Sequence, residues 1–210
     1  MDSILPTLDI EQALAMLNGT MAELRDTQER LKTCQEQLDE MNMLLFEQSA
    51  TDALTGLKNR TAFDRIMKQQ ASRNGRSKAS LALLLVDVDN CKAFNTEFGR
   101  AGGDDVLQQI AQVLKAQARA YDYVVRYEDD AFAVVLPDTP REGAKVVAQR
   151  IQATVEALPL RRKSVTVSIG VAVAQAPDEN TTQIARLAAA LDKARAAGGN
   201  QVYVDGLDFF

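Results

Sequence analysis

Residues 119–138 read RAYDYVVRYEDDAFAVVLPD. Two short runs rich in β-branched and aromatic residues, Tyr123–Arg126 and Phe132–Leu136, flank an acidic tip of Glu128, Asp129, Asp130 and Ala131. That pattern predicts an antiparallel hairpin. A tight hairpin turn recruits Gly, Asn or Asp because it needs φ > 0. Glu128 is an awkward occupant of such a place, and the tip reads as altered from a glycine-bearing turn.

Upstream of the hairpin, Leu81 to Val86 is an unbroken apolar run that ends in Asp87-Val88-Asp89. This is the pattern of a strand buried on both faces that delivers carboxylates at its carboxyl end. Before it, Gly56 breaks one helix and Asn59 caps another running from about Arg60 to Arg73. After it, the segment Cys91 to Gly99 leads to a helix started at Gly103-Asp104 and reaching about Ala118. Val106, Leu107, Ile110, Val113 and Leu114 form its apolar face. Beyond the hairpin the pattern predicts a helix from Pro140 to Leu158, with Val146, Val147, Ile151 and Val155 inward. A strand over Ser164–Val173, a helix over Thr181–Ala197 and a strand over Gln201–Asp205 complete the chain. The order α, β, αα, ββ, α, β, α, β predicts an α+β, ferredoxin-like fold: a mainly antiparallel sheet with flanking helices.

The amino-terminal part is different. Leu17, Leu24, Leu31, Leu38 and Leu45 recur every seven residues, and Thr20, Thr27, Cys34 and Met41 follow the first four at three-residue spacing. This is an a/d seam with leucine at a, and it predicts a coiled coil joining two copies in parallel. A single amphipathic helix packed on its own domain is the alternative. Residues 1–50 are accordingly expected as an N-terminal helical coiled-coil segment and residues 51–210 as one domain.

Composition narrows the chemistry. With no histidine among 210 residues, histidine acid–base chemistry and Ser-His-Asp or Cys-His nucleophiles are excluded. A net charge of −5 gives no support to a nucleic-acid partner. Cys34 and Cys91 are far apart, which favours a reducing compartment. The amino terminus lacks the basic start of a signal peptide, and no apolar run is long enough to span a membrane. A cytoplasmic location is expected.

Arg126-Tyr127-Glu128-Asp129-Asp130-Ala131-Phe132 resembles the Arg-Tyr-Gly-Gly-Asp/Glu-Glu-Phe hairpin of the GGDEF family, the diguanylate cyclases. Asp52-Ala53-Leu54-Thr55-Gly56-Leu57-Lys58-Asn59-Arg60 resembles that family's Asp-x-Leu-Thr-Gly-Leu-x-Asn-Arg stretch, with every defined position filled. Read without the resemblance, the second stretch is a linker. Lys92 and Asn95 fit the family's Phe-Lys-x-x-Asn-Asp segment, with Cys91 in place of Phe. Ser168 to Ala172 is similar to its Ser-Ile-Gly-Val-Ala strand. Arg119-Ala120-Tyr121-Asp122 resembles its RxxD inhibitory site.

The resemblance implies the palm-type cyclase fold and a set of roles. Asp87, Asp130 and the Val88 carbonyl would ligate Mg²⁺, a cofactor needed only if GTP binding is retained. Asn95 and Asp104 would bond the guanine edge of GTP, and Lys92 and Arg195 would face phosphates. Arg119 and Asp122 would bind cyclic di-GMP. Four positions depart from the pattern. Glu128 and Asp129 replace two glycines, Ala131 replaces the fourth acidic residue, and Gly199 stands where Arg is usual. No catalytic residue is assigned, Asp130 being vestigial. The resemblance thus implies a degenerate GGDEF protein with little or no cyclase activity, a cyclic di-GMP receptor that signals to a protein partner through its coiled coil. An active diguanylate cyclase and a nucleotide-free docking scaffold are the alternatives. The terminal Phe209 and Phe210 are left without a role.

Overall fold

The computed structural model describes residues 10–77, 80–159, 164–174 and 180–206. Phe209, Phe210 and the side chain of Leu45 lie outside the described part. The chain divides into two units, Met1–Ser49 and Ala50–Phe210.

The described part of the first unit is one helix, α1 (Ile10–Ser49), of 40 residues. Gly19 lies within it and proline does not, so the i to i−4 bonding runs uninterrupted for about 60 Å at 1.5 Å per residue. Leu17, Leu24, Leu31, Leu38 and Met41 are each 56–68% exposed. Five large apolar side chains on one seam therefore stay in water along this helix.

The second unit holds α2 (Arg60–Ser77), β1 (Leu81–Val88), α3 (Cys91–Gln117), β2 (Tyr123–Arg126), β3 (Ala131–Pro137), α4 (Arg141–Glu156), β4 (Val167–Ala174), α5 (Asn180–Ala196) and β5 (Val202–Val204). The sheet order is β2-β3-β1-β4-β5. All neighbours are antiparallel except β4 and β5, which are parallel. Strand β1 is central, and its alternate residues serve two cores. Ala82, Leu84 and Val86 pack with Val106, Leu107, Ile110 and Ile151 from α3 and α4. Leu81, Leu83 and Leu85 pack with Phe63, Ile66, Leu187 and Leu191 from α2 and α5. Burial on both faces is why this strand carries no polar alternation before Asp87.

Several boundaries differ from the sequence reading, each for a local reason. The segments at Cys91 and Gly103 join into one α3, broken only at Gly99 (φ 76, ψ 166). Pro140 caps α4 from outside with extended backbone, instead of sitting in its first turn. Val146 is 59% exposed. Val146 and Val147 lie about 100° apart on the helix, and Ala144, Ala148, Ile151 and Val155 make the buried face. Strand β4 starts at Val167, three residues later than Ser164.

Candidate nucleotide cleft and the Arg119–Asp122 turn

The carboxyl end of β1 and the hairpin tip meet through the Val88 N–H, which donates to the Asp130 carbonyl (3.1 Å). The tip is a wide loop, with the N–H groups of Tyr127 and Glu128 both donating to the Ala131 carbonyl (2.8 and 3.1 Å). Among the described residues, positive φ on a non-glycine occurs at Asn90, Asp138 and Asn200, none of them in the tip. The expectation that Glu128 needs φ > 0 is therefore overturned. Arg126 supplies what the turn needs instead: its Nε donates to the Glu128 carbonyl (2.9 Å) and its Nη2 to the Asp129 carbonyl.

Arg126 is itself held by the stretch that reads as a linker. Its N–H donates to the Lys58 carbonyl (2.7 Å), and its Nη1 lies 3.8 Å from Asp52 Oδ1. That same Oδ1 accepts from the Thr55 N–H (2.9 Å) and hydroxyl (2.5 Å). Gly56 takes φ 65, and Asn59 caps α2 by accepting from the Ala62 N–H (3.1 Å). Residues 52–60 thus form a folded turn docked on the edge strand β2. Arg60 lies over the Tyr127 ring (3.7 Å) and reaches Glu128 (3.9 Å). One of the two anions that replace glycine therefore has a cation beside it.

Below the tip is a cleft of about 900 Å³. Lys92, Asn95, Asp104, Asp130 and Arg195 line it together, with Cys91, Arg100, Arg126, Glu128 and Asp129. Five residues singled out in sequence, drawn from two helices and the hairpin, are thus in one place. Asp87 is only 7% exposed. Arg195 does not simply face open solvent: its Nε donates to Asp87 Oδ2 (3.0 Å) and its Nη2 lies 2.5 Å from Oδ1. Burial pushes the Asp87 carboxyl up from its usual range, against the pull of Arg195, and the Asp130 and Asp89 charges add to the rise. The Asp87 hydrogen bond raises Arg195 in turn.

Two supports were not legible in sequence. Asn95 Oδ1 is buried without a hydrogen-bond partner, and a Cβ on Gly103 would stand 1.8 Å from it. Only glycine at 103 leaves that amide its position. Asp89 accepts from the Thr166 hydroxyl (2.7 Å), the Ser168 hydroxyl (2.7 Å) and the Asn200 N–H (2.9 Å), tying the ends of β1 and β4 to the turn after α5. Gly199, at φ 77, lies against this knot, and a Cβ there would be 3.1 Å from the Asp89 carboxylate. The third residue after an apolar run was the sole hint of Asp89.

The residues fit Mg²⁺. Asp87 and Asp130 supply two hard carboxylates, the Asp130 charge lying close enough to raise the proton affinity of Asp87, whose Oδ1 pairs with Arg195. Among the described residues no larger group of acidic or sulfur side chains converges. Mg²⁺ is commonly held by one or two carboxylates with phosphates and water completing the octahedron.

The Arg119–Asp122 turn does not line this cleft. Asp122 Oδ2 accepts from the Arg119 N–H (2.7 Å), and the Asp122 N–H donates to the Arg119 carbonyl (3.1 Å). Among the described residues the Arg119 guanidinium has no ion-pair partner. Arg150 of α4, which the sequence reading missed, donates to the Gln117 carbonyl (3.0 Å), two residues before Arg119. The Arg150 guanidinium is thus attached to the end of α3, just before the turn. Among the described residues no helix is long and apolar enough to cross a membrane.

A mainly antiparallel sheet carrying a carboxylate-bearing central strand beside an acidic hairpin is the frame of a nucleotidyl cyclase domain. The family model for the diguanylate cyclase GGDEF domain matches residues 49–201, and the chain belongs to that family. It is 32% identical over 162 residues to the diguanylate cyclase DgcP of Pseudomonas aeruginosa, covering 75% of this chain and 24% of that protein. The GGDEF domain of DgcB from Caulobacter crescentus, in complex with c-di-GMP, superposes with a TM-score of 0.73 at 27% identity, covering 75% of this chain and 96% of that one. Diguanylate cyclase SiaD of Pseudomonas aeruginosa, in complex with its activator SiaC, gives 0.73 at 29% identity, covering 92% and 77%. The chain spans less than half the length of the first curated relatives it matches.

Proposed function

We propose that this chain is a degenerate GGDEF protein of the cytoplasm that binds cyclic di-GMP at Arg119 and Asp122, with little or no diguanylate cyclase activity. The observation that carries the reading is the pair of carboxylates, Glu128 and Asp129, on the wall of the cleft where the family has glycine. Each anion within 4 Å of a phosphate costs about 1 kcal/mol even at the dielectric of water. Arg60 offsets part of this for Glu128, whose side chain is 66% exposed. Ala131 removes an acid from the position opposite Asp87, and Gly199 removes a cation.

In this reading Arg119 presents paired N–H donors to guanine O6 and N7, while the Asp122 oxygen not engaged by the turn accepts from guanine N–H groups. Arg150 adds positive charge for a phosphate. The cleft residues keep a weaker GTP site. There Asn95 and Asp104 meet the guanine edge, Lys92 meets phosphate, and Arg195 moves between Asp87 and phosphate. Mg²⁺ held by Asp87, Asp130 and the Val88 carbonyl would supply charge stabilisation at the phosphates.

Two measurements test the receptor. Calorimetry with cyclic di-GMP is expected to show binding that weakens at least about tenfold in Arg119→Ala. Incubation with Mg²⁺ and GTP is expected to leave GTP unconverted, and steady formation of cyclic di-GMP would overturn the reading. The gathering of Lys92, Asn95, Asp104, Asp130 and Arg195 in one cleft favours the second reading, an active cyclase.

The leucine seam of α1, exposed at Leu17, Leu24, Leu31 and Leu38, is assigned to a parallel homodimer through these residues and Leu45, through which the ligand state reaches a protein partner. Sedimentation equilibrium at micromolar concentration is expected to give twice the chain mass. A monomer there would remove the coiled coil.

A further inference from the structure

Tyr121 is 82% exposed. The protein has four tyrosines and no tryptophan, and the other three tyrosines are packed. Tyr127 sits edge-on to Phe63 and under Arg60, Tyr203 lies beside Lys193, and Tyr123 packs against a core. Among the described residues the Tyr121 ring has no aromatic or cationic partner. It stands within the four-residue turn closed by the two Arg119–Asp122 hydrogen bonds, one residue before Asp122 and two after Arg119. That turn carries an exposed aromatic ring two residues along the chain from an arginine that has no ion-pair partner among the described residues.

We propose that Tyr121 is a stacking platform of this turn, so that the site grips a purine by its face as well as by its edge. The inference rests on the reading of Arg119 and Asp122 as a guanine site. Hydrogen bonding to an edge tells guanine from adenine, whereas stacking is tolerant, because every base offers a π-face. The two contributions are therefore separable. Closure of the turn fixes the backbone on both sides of the ring, so little freedom is lost when a base arrives.

The test is calorimetry of cyclic di-GMP and cyclic di-AMP on the full chain. Tyr121→Ala is expected to weaken cyclic di-GMP about tenfold or more, the usual scale for losing a base–aromatic stack. Tyr121→Phe, which keeps the ring, is expected to stay within about threefold of the unaltered protein. The preference for cyclic di-GMP over cyclic di-AMP is expected to survive in Tyr121→Ala and to collapse in Arg119→Ala. Thermal melting of each variant checks the fold, which an exposed side chain should not perturb. If Arg119→Ala loses binding while Tyr121→Ala stays within about twofold, stacking is overturned and the receptor stands. Equal weakening by Tyr121→Phe and Tyr121→Ala overturns stacking in favour of a hydroxyl contact. No binding by the unaltered protein overturns the receptor reading and the platform with it.

Discussion

Replacing Glu128 and Asp129 by glycine and Ala131 by glutamate is expected to raise conversion of GTP into cyclic di-GMP at least about a hundredfold over the unaltered protein. Removing two anions worth about 1 kcal/mol each against a phosphate gives roughly thirtyfold in binding. Glutamate at 131 would add a carboxylate to hold Mg²⁺, whose charge at the reacting phosphates would contribute about a further hundredfold or more. Ala131 is the register partner of Asp87 across the β1–β3 ladder, so glutamate there stands beside the carboxylate that Arg195 now holds. Ala131 is 3% exposed, which makes a new acid costly unless a cation shares the space. The double glycine variant alone is expected to bind GTP more tightly without comparable turnover. Because no residue of the tip uses positive φ, glycine is admitted there without being required, and the hairpin should survive. Equal turnover by the triple variant and the unaltered protein would show that the altered tip is not what limits the cleft.

Gly170→Ala is expected to lower the melting temperature by about 6–12 °C. A Cβ at this position of β4 would stand 2.5 Å from the Leu191 nitrogen and 2.7 Å from the Leu187 carbonyl oxygen. Both atoms belong to the backbone of α5, which cannot turn aside as a side chain could. The helix must lift from the sheet, loosening Leu187, Leu191 and Ala194, all nearly fully buried. Overpacking of this kind costs about 1–3 kcal/mol, and a backbone obstacle belongs near the top of that range. For a domain of this size each kcal/mol shifts melting by about 2–4 °C. Arg195 rides on the same helix, so its bond to Asp87 should weaken together with stability. An unchanged melting curve would mean that α5 sits farther from the sheet than the structure places it.

Much of this was legible along the chain. The unbroken run before Asp87 announced a strand covered on both sides, because burial on two faces leaves no place for alternating polar residues. The Asn59 cap was readable because its partner lies three residues away. Val146 was misread because the buried stripe of α4 runs through Ala144, Ala148, Ile151 and Val155, which leaves Val146 on the solvent side. The alanines of that stripe carry too little hydrophobicity to stand out. The bracing role of Asp89 was not readable because its partners lie 77, 79 and 111 residues distant. Gly103 looked like a helix start, and its service to Asn95 depends on how the chain bends at Gly99.

The order of elements and the carboxylates at the end of the central strand follow from residue types and short-range spacing, and the four departures follow from setting those residues against the family pattern they resemble. Those features are set by backbone preferences and neighbours within a few positions. Tertiary structure alone decided that Arg195 rests on Asp87, that Arg126 and Asp52 shape the tip without glycine, that Glu128 meets Arg60, and that Arg150 bonds the Gln117 carbonyl two residues before Arg119. Each is a charge or a donor finding its partner across the sheet register or between helices, and such pairing depends on distances that linear spacing does not carry.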